Sequence, residues 1–146
     1  MKISKLLATL EDRDLPRVEE EETIAGVLQV MVEFPHTRLI YVVDSQGRCT
    51  GTISLGVLIR HLFAHGFEPA VHSRHLISMI TSETAKDIMN RQLIYAVKED
   101  RLETVVRRMI KAGVKEIAVL DQDRHLIGDL TMLDLLKHYH LGPDAP

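Results

Sequence analysis

Near the C-terminal end of the chain, Thr131 and Asp134 stand three residues apart in the stretch GDLTMLDLL, Gly128 to Leu136. The apolar spacing around them predicts that they open a helix. A carboxylate there can accept hydrogen bonds from both hydroxyls of a ribose. A threonine hydroxyl and the unpaired N–H groups of a helix start can hold a phosphate. The two tasks fit one ligand only if its phosphates point away from Asp134, towards a cation. The same Thr-x-x-Asp spacing also makes a helix-capping pair, which needs no ligand. Capping and binding are compatible, so the pair is a candidate site on either reading.

Other reactive residues offer less. The chain has eight histidines. His61/His65 and His72/His75 have helical spacing, but a zinc site needs three or four ligands, often with a supporting carboxylate. No cysteine pair and no H-E-x-x-H occurs, so no metal site is expected. His61 and His138 are better read as positive ends for helix C-termini. The single cysteine, Cys49, aligns with Leu126 and is expected in the core rather than as a nucleophile. No G-x-S-x-G elbow, P-loop or G-x-G-x-x-G is present. No nucleophile–base pair emerges, and the chain is not expected to be an enzyme.

The elements that must position Thr131 and Asp134 occur twice. Ile24, Val27, Leu28, Met31 and Val32 recur as Leu102, Val105, Val106, Met109 and Ile110, each 78 residues later. LIYVVDSQGRCTGTIS (Leu39–Ser54) recurs as EIAVLDQDRHLIGDLT (Glu116–Thr131) at an offset of 77, pairing Asp44 with Asp121, Gly51 with Gly128 and Ser54 with Thr131. Loops tolerate a one-residue change, and it falls between helix and strand. Each copy predicts a short strand (Leu15–Val18; Leu93–Val97) and an amphipathic helix (Thr23–Phe34; Asp100–Ala112). Two strands follow around an Asp-led turn (Arg38–Val43 and Arg48–Ile53; Lys115–Leu120 and His125–Leu130), then a second helix (from Ser54 through Leu62; Thr131–Tyr139). The acidic run Glu19–Glu22 suits the start of the first helix. Between the copies, Gly66 and Pro69 break the chain, and Leu76, Ile77, Met79 and Ile80 predict a short packing helix. The tail after Gly142 is expected to fray. A sheet of two or three strands with helices on one face is too small to bury both its surfaces, so the copies are expected to pack together and leave clefts.

Composition narrows the function classes. With 146 residues, 45% hydrophobic and 27% charged, the chain is an ordinary globular protein. A net charge of −3 and 4% aromatics argue against nucleic-acid binding. No stretch approaches the roughly 20 apolar residues of a membrane span. The N-terminus lacks a signal-peptide pattern. One cysteine excludes an internal disulfide. A reducing, cytoplasmic location is expected.

Taken in order and twice over, these features resemble the CBS (cystathionine-β-synthase) domain pair, or Bateman module, of the free-standing bacterial or archaeal type. The carriers are TAKDIM (Thr84–Met89), the strand ending IAVLD, and GDLTMLDLL, which follows the family pattern G-h-h-[ST]-x-x-D except at Asp129. The resemblance covers residues 2–140. It implies an α+β fold of two β-α-β-β-α repeats packed with pseudo-two-fold symmetry: repeat 1 at 1–65, a structured linker at 66–82, repeat 2 at 83–140 and a frayed tail at 141–146. It implies a regulatory module that needs no cofactor and binds an adenosine ligand (AMP, ADP, ATP or S-adenosylmethionine) between repeats. It also implies a homodimer and an unidentified protein target. The alternative is a ligand-free dimeric scaffold. Carried onto this chain, the nucleotide site is Asp134 and Thr131 with Leu7, Thr37 and Arg38, the last as the phosphate's cation. The mirror cleft is Ser54, Thr84, Met89 and Lys115. There the position matching Asp134 is Val57, so the acceptor for a ribose is missing and one good site is expected.

Overall fold

The computed structural model describes residues 1–10, 12–63 and 81–141. The packing helix expected at Leu76–Ile80, the tail from Gly142, and His65, His72 and His75 lie outside the described residues. The elements are α1 (Ile3–Thr9), β1 (Arg17–Glu19), α2 (Ile24–Glu33), β2 (Leu39–Val43), β3 (Cys49–Ser54), α3 (Leu55–Phe63), α4 (Ala85–Ile88), β4 (Tyr95–Val97), α5 (Leu102–Ala112), β5 (Glu116–Leu120), β6 (Leu126–Thr131) and α6 (Met132–Leu141). They form two three-stranded sheets, β1-β2-β3 and β4-β5-β6.

Both sheets are built alike because the same sequence pattern builds them. The central strands β2 and β5 are apolar runs buried at four of five positions. Each pairs in parallel with a three-residue strand on one side and antiparallel with its successor on the other. The antiparallel ladders carry a bulge at matching places, Val42/Val43 and Val119/Leu120. The turns match as well. Asp44 Oδ1 accepts from the N–H of Gln46 and Arg48 at 2.9 and 3.0 Å, and Asp121 Oδ1 from those of Asp123 and His125 at 2.9 and 2.8 Å. The left-handed position falls on Gly47 in one turn and on Arg124 in the other.

Thr23 caps α2 by accepting from the Gly26 N–H at 3.2 Å. Gly113 ends α5 at φ +70° and donates to Met109 and Ile110. The expected apolar stripes are present, but their last members face outwards: Val32 is 74% and Ile110 67% exposed. At 3.6 residues per turn, eight residues rotate the side chain about 80° from the stripe's first member, which takes it to the edge of the buried face.

Two helices were not legible from periodicity, α1 and α4, and they decide how the chain divides. One compact unit runs from Pro16 to Leu93; the other joins Met1–Leu15 to the chain from Ile94 onwards. Each sheet therefore takes a helix from the leading segment of the other sequence copy. In the unit holding β4–β6, Ile3 N donates to Asp100 O at 2.9 Å and Ser4 N to Lys98 O at 3.0 Å. Ile3 and Leu6 are buried in its core with Leu102, Val105, Ile117 and Leu130. In the unit holding β1–β3, Ala85 N donates to Glu22 O at 2.8 Å and Lys86 N to Glu20 O at 3.0 Å. Ala85 and Met89 join its core with Ile24, Val27, Ile40 and Ile53.

Candidate functional site

β6 runs into α6 without a connecting residue, so Thr131 ends the strand and Asp134 lies in the first turn of the helix. The two residues bond reciprocally. The Thr131 N–H donates to Asp134 Oδ2 at 2.8 Å, and the Asp134 N–H donates to Thr131 Oγ1 at 3.1 Å. This is the capping box that the spacing allows. Asp134 is only 3% exposed.

A third residue completes the cluster, and sequence reasoning missed it. Arg13, on the segment after α1, sends a fork onto Asp134: Nη1 to Oδ1 at 3.1 Å and Nη2 to Oδ2 at 2.7 Å. The same guanidinium holds Asp129 on β6, with Nε and Nη2 to Oδ1 at 3.2 and 2.7 Å and Nη2 to the backbone O at 3.3 Å. Asp129 is 7% exposed. Its departure from the apolar family pattern thus has a physical account, because the buried carboxylate is paired. Burial alone pushes the Asp134 carboxyl up. Arg13 and the Thr131 N–H outweigh that and hold it below the ordinary carboxylate value. Hydrogen bonding to Asp134 and Asp129 raises the Arg13 value further, and the guanidinium stays charged.

Two signals in the chain pointed to Arg13. Asp129 is an acid where the pattern wants an apolar residue, and a buried acid needs a cation. Arg13 also recurs as Arg91, 78 residues later. The acids do not recur: the equivalents of Asp129 and Asp134 are Thr52 and Val57.

Beside the cluster, an open groove of about 370 Å³ runs between α1 and β6, lined by Ser4, Leu7, Leu10, Arg13, Lys98 and Gly128 among others. That volume lies at the small end of ligand pockets. Leu7 Cδ2 sits 3.5 Å from where a Cβ would stand on Gly128, so the glycine keeps this wall low. Arg13 and Asp129 reach the groove wall; Asp134 does not.

The remaining expected site residues are distributed as follows. Leu7, Thr131 and Asp134 share the unit with β4–β6, whereas Thr37 and Arg38 belong to the other, just before β2. The Thr37 hydroxyl is turned onto its own chain, donating to Leu39 O at 3.0 Å. Arg38 is exposed, and its carbonyl accepts from Leu55 N at 2.8 Å. Of the mirror set, Ser54, Thr84 and Met89 share one unit and Lys115 lies in the other. Ser54 Oγ accepts from the Val57 N–H at 3.1 Å, the counterpart of the Thr131 cap. The Thr84 N–H and hydroxyl donate to Asp87 at 2.8 and 3.1 Å. Met89 lies against Gly51, where an added Cβ would come within 2.9 Å of its sulfur. Lys115 is exposed, and its carbonyl accepts from Met132 N at 2.9 Å.

Cys49 is buried, as its alignment with Leu126 implies, and burial pushes its thiol up to about 11. Asp121, Asp123 and His125 bring ligand atoms within 4.8 Å of one another on the β5–β6 turn. They are the described residues best placed for a cation, though the Asp121 carboxylate is already used to shape the turn. Among the described residues, no helix is long and apolar enough to cross a membrane.

Comparison with known proteins agrees with this architecture. The family model described as "CBS domain" matches residues 7–64 and again 85–141. The chain is similar to a CBS domain-containing protein from Thermotoga maritima, at 24% identity and a TM-score of 0.75, over 99% of this chain and 97% of that one. It is also similar to the cytosolic domain of the Mg²⁺ channel MgtE, solved in complex with ATP, at 26% identity and a TM-score of 0.64, over 83% of this chain and 43% of that one. A curated relative, the carnitine transport ATP-binding protein OpuCA of Listeria monocytogenes, is 32% identical over 56 residues, which are 38% of this chain and 14% of OpuCA. The match thus spans about one seventh of that relative's length. Two matched copies, two like sheets and a shared fold across nearly the whole chain lead to one statement: this chain belongs to the CBS-domain family as a tandem pair.

Proposed function

We propose that the chain is a regulatory module that binds an adenosine-containing ligand (AMP, ADP, ATP or S-adenosylmethionine) and signals through a change of conformation or dimer geometry. The observation that carries this reading is Asp134. It is a buried, ionised carboxylate at a helix start, next to a threonine hydroxyl and linked through Arg13 to a groove that Gly128 helps to line. A carboxylate so placed suits the two hydroxyls of a ribose. Leu7, which lines the groove, supplies an apolar wall for a base. The ATP complex of the related MgtE domain supports an adenosine ligand as the class to test. Because Val57 stands where the second acid would be, one ligand per chain is expected.

Isothermal titration of the four ligands into the protein tests this. Saturable binding of at least one, near one per chain, is the expected result. If none binds while the protein remains a dimer, the scaffold reading replaces it. That second reading has its own support. Leu133, Leu136 and Tyr139 lie at i, i+3, i+6 on α6, each more than half exposed, and form an apolar stripe suited to self-association. A homodimer is part of both readings, and the protein target of the signal is left to experiment.

A further inference from the structure

The acceptor that a ribose needs is already occupied. Both Asp134 oxygens take hydrogen bonds from Arg13, and the groove meets Arg13, not Asp134. A diol cannot reach that carboxylate while the guanidinium stays in place. Arg13 is held by two acids rather than one, since Nε and Nη2 also bond Asp129. It can therefore leave Asp134 without losing every partner. Its side chain is 39% exposed and lines the groove, which leaves it room to turn.

We propose that Arg13 is a resident competitor for the Asp134 carboxylate, so that a ligand bearing a vicinal diol must displace it onto Asp129 in order to bind. The inference rests on the adenosine reading of Asp134 and deepens it. The closed arrangement is the ground state, and the ligand selects the open one. Its apparent affinity is then reduced by the open fraction. The other sheet unit has an arginine at the matching position, Arg91, but Thr52 and Val57 in place of the two acids. The latch is thus confined to the unit that carries the candidate acceptor.

The test compares adenosine with 2′,3′-dideoxyadenosine, which lacks the diol, on three proteins: wild type, Arg13→Ala, and the double variant Arg13→Ala/Asp129→Thr. The double variant also removes one of the two carboxylates that Arg13 holds and carries the residue found at the matching position. It serves if Arg13→Ala alone does not fold. Minor states populated at about 0.1–10% imply that removing the competitor tightens adenosine tenfold or more. Dideoxyadenosine makes no demand on Asp134, and its affinity is expected to stay unchanged. If wild type binds adenosine and the variants bind it no more tightly, the latch is wrong and the adenosine site stands. If both nucleosides tighten equally, Arg13 merely fills the groove, and competition for the carboxylate is wrong. If no protein binds adenosine, the ribose role of Asp134 fails and the latch fails with it.

Discussion

At the scale of single residues, Asp134 and Arg13 set the behaviour of the site. The Asp134 carboxyl is held below its ordinary value of 3.8, so its contribution to stability is present above that pH and is lost as pH falls through the depressed value. Asp134→Asn is therefore expected to be less stable than wild type at neutral pH, with the difference closing below pH 3.8. Urea denaturation at several pH values measures this, and a difference constant with pH would contradict it. Removing Arg13 takes the cation from two buried carboxylates. Breaking a fully buried pair costs about 3–5 kcal/mol; with the guanidinium 39% exposed, about 2 kcal/mol is expected for Arg13→Ala in the same assay. Less than about 0.5 kcal/mol would show the bridge to be solvated. Thr131 and Asp134 were legible from their spacing alone, because a capping box is a local pattern. Arg13 was not, since its partners lie 116 and 121 residues away and no period links them. The oddity of Asp129 signalled that a cation had to come from elsewhere, and the recurrence of Arg13 as Arg91 marked a position for it.

At the scale of elements, the repeat made the two sheets readable. Central strands, Asp-led turns and amphipathic helices each carry a local period or turn chemistry, and they appear within a few residues of their expected bounds. The leading helices α1 and α4 carry none, because seven and four residues are too few to display a stripe. They were visible only as segments that a family resemblance placed near the site. Their burial is nonetheless complete at Ile3 and Ala85. Ile3→Ala is expected to cost about 2–5 kcal/mol through the cavity it leaves. Hydrogen exchange should then show faster opening of β4–β6 than of β1–β3, although Ile3 precedes both in the sequence. Equal loss in both sheets, or loss in β1–β3, would contradict the exchanged packing. The α3 start offers a complementary prediction. Ser54 already caps Val57 as Thr131 caps Asp134. Val57→Asp supplies the missing carboxylate and is expected to raise ligand stoichiometry towards two per chain by titration calorimetry. An unchanged value would mean that more than the acid is absent there.

At the scale of the whole molecule, two like units share one chain, and among the described residues the buried acid cluster beside a groove lies in the unit with β4–β6. That asymmetry is written in the sequence as Asp129 and Asp134 against Thr52 and Val57. The exposed apolar stripe of α6 belongs to the same scale. In sedimentation velocity, wild type is expected to sediment as a dimer and Leu133→Asp with Leu136→Asp as a monomer; a monomeric wild type would contradict the dimer, and a dimeric variant would place self-association on another surface. The proposed adenosine ligand binds through Asp134. A thermal-shift panel of AMP, ADP, ATP and S-adenosylmethionine on wild type and Asp134→Ala tests it most directly. Ligand at 100 times its dissociation constant stabilises the folded state by about 2.7 kcal/mol, a readily measured shift. A shift with at least one ligand in wild type, lost in Asp134→Ala, is the expected result. No shift in wild type, or an equal shift in both proteins, would contradict it.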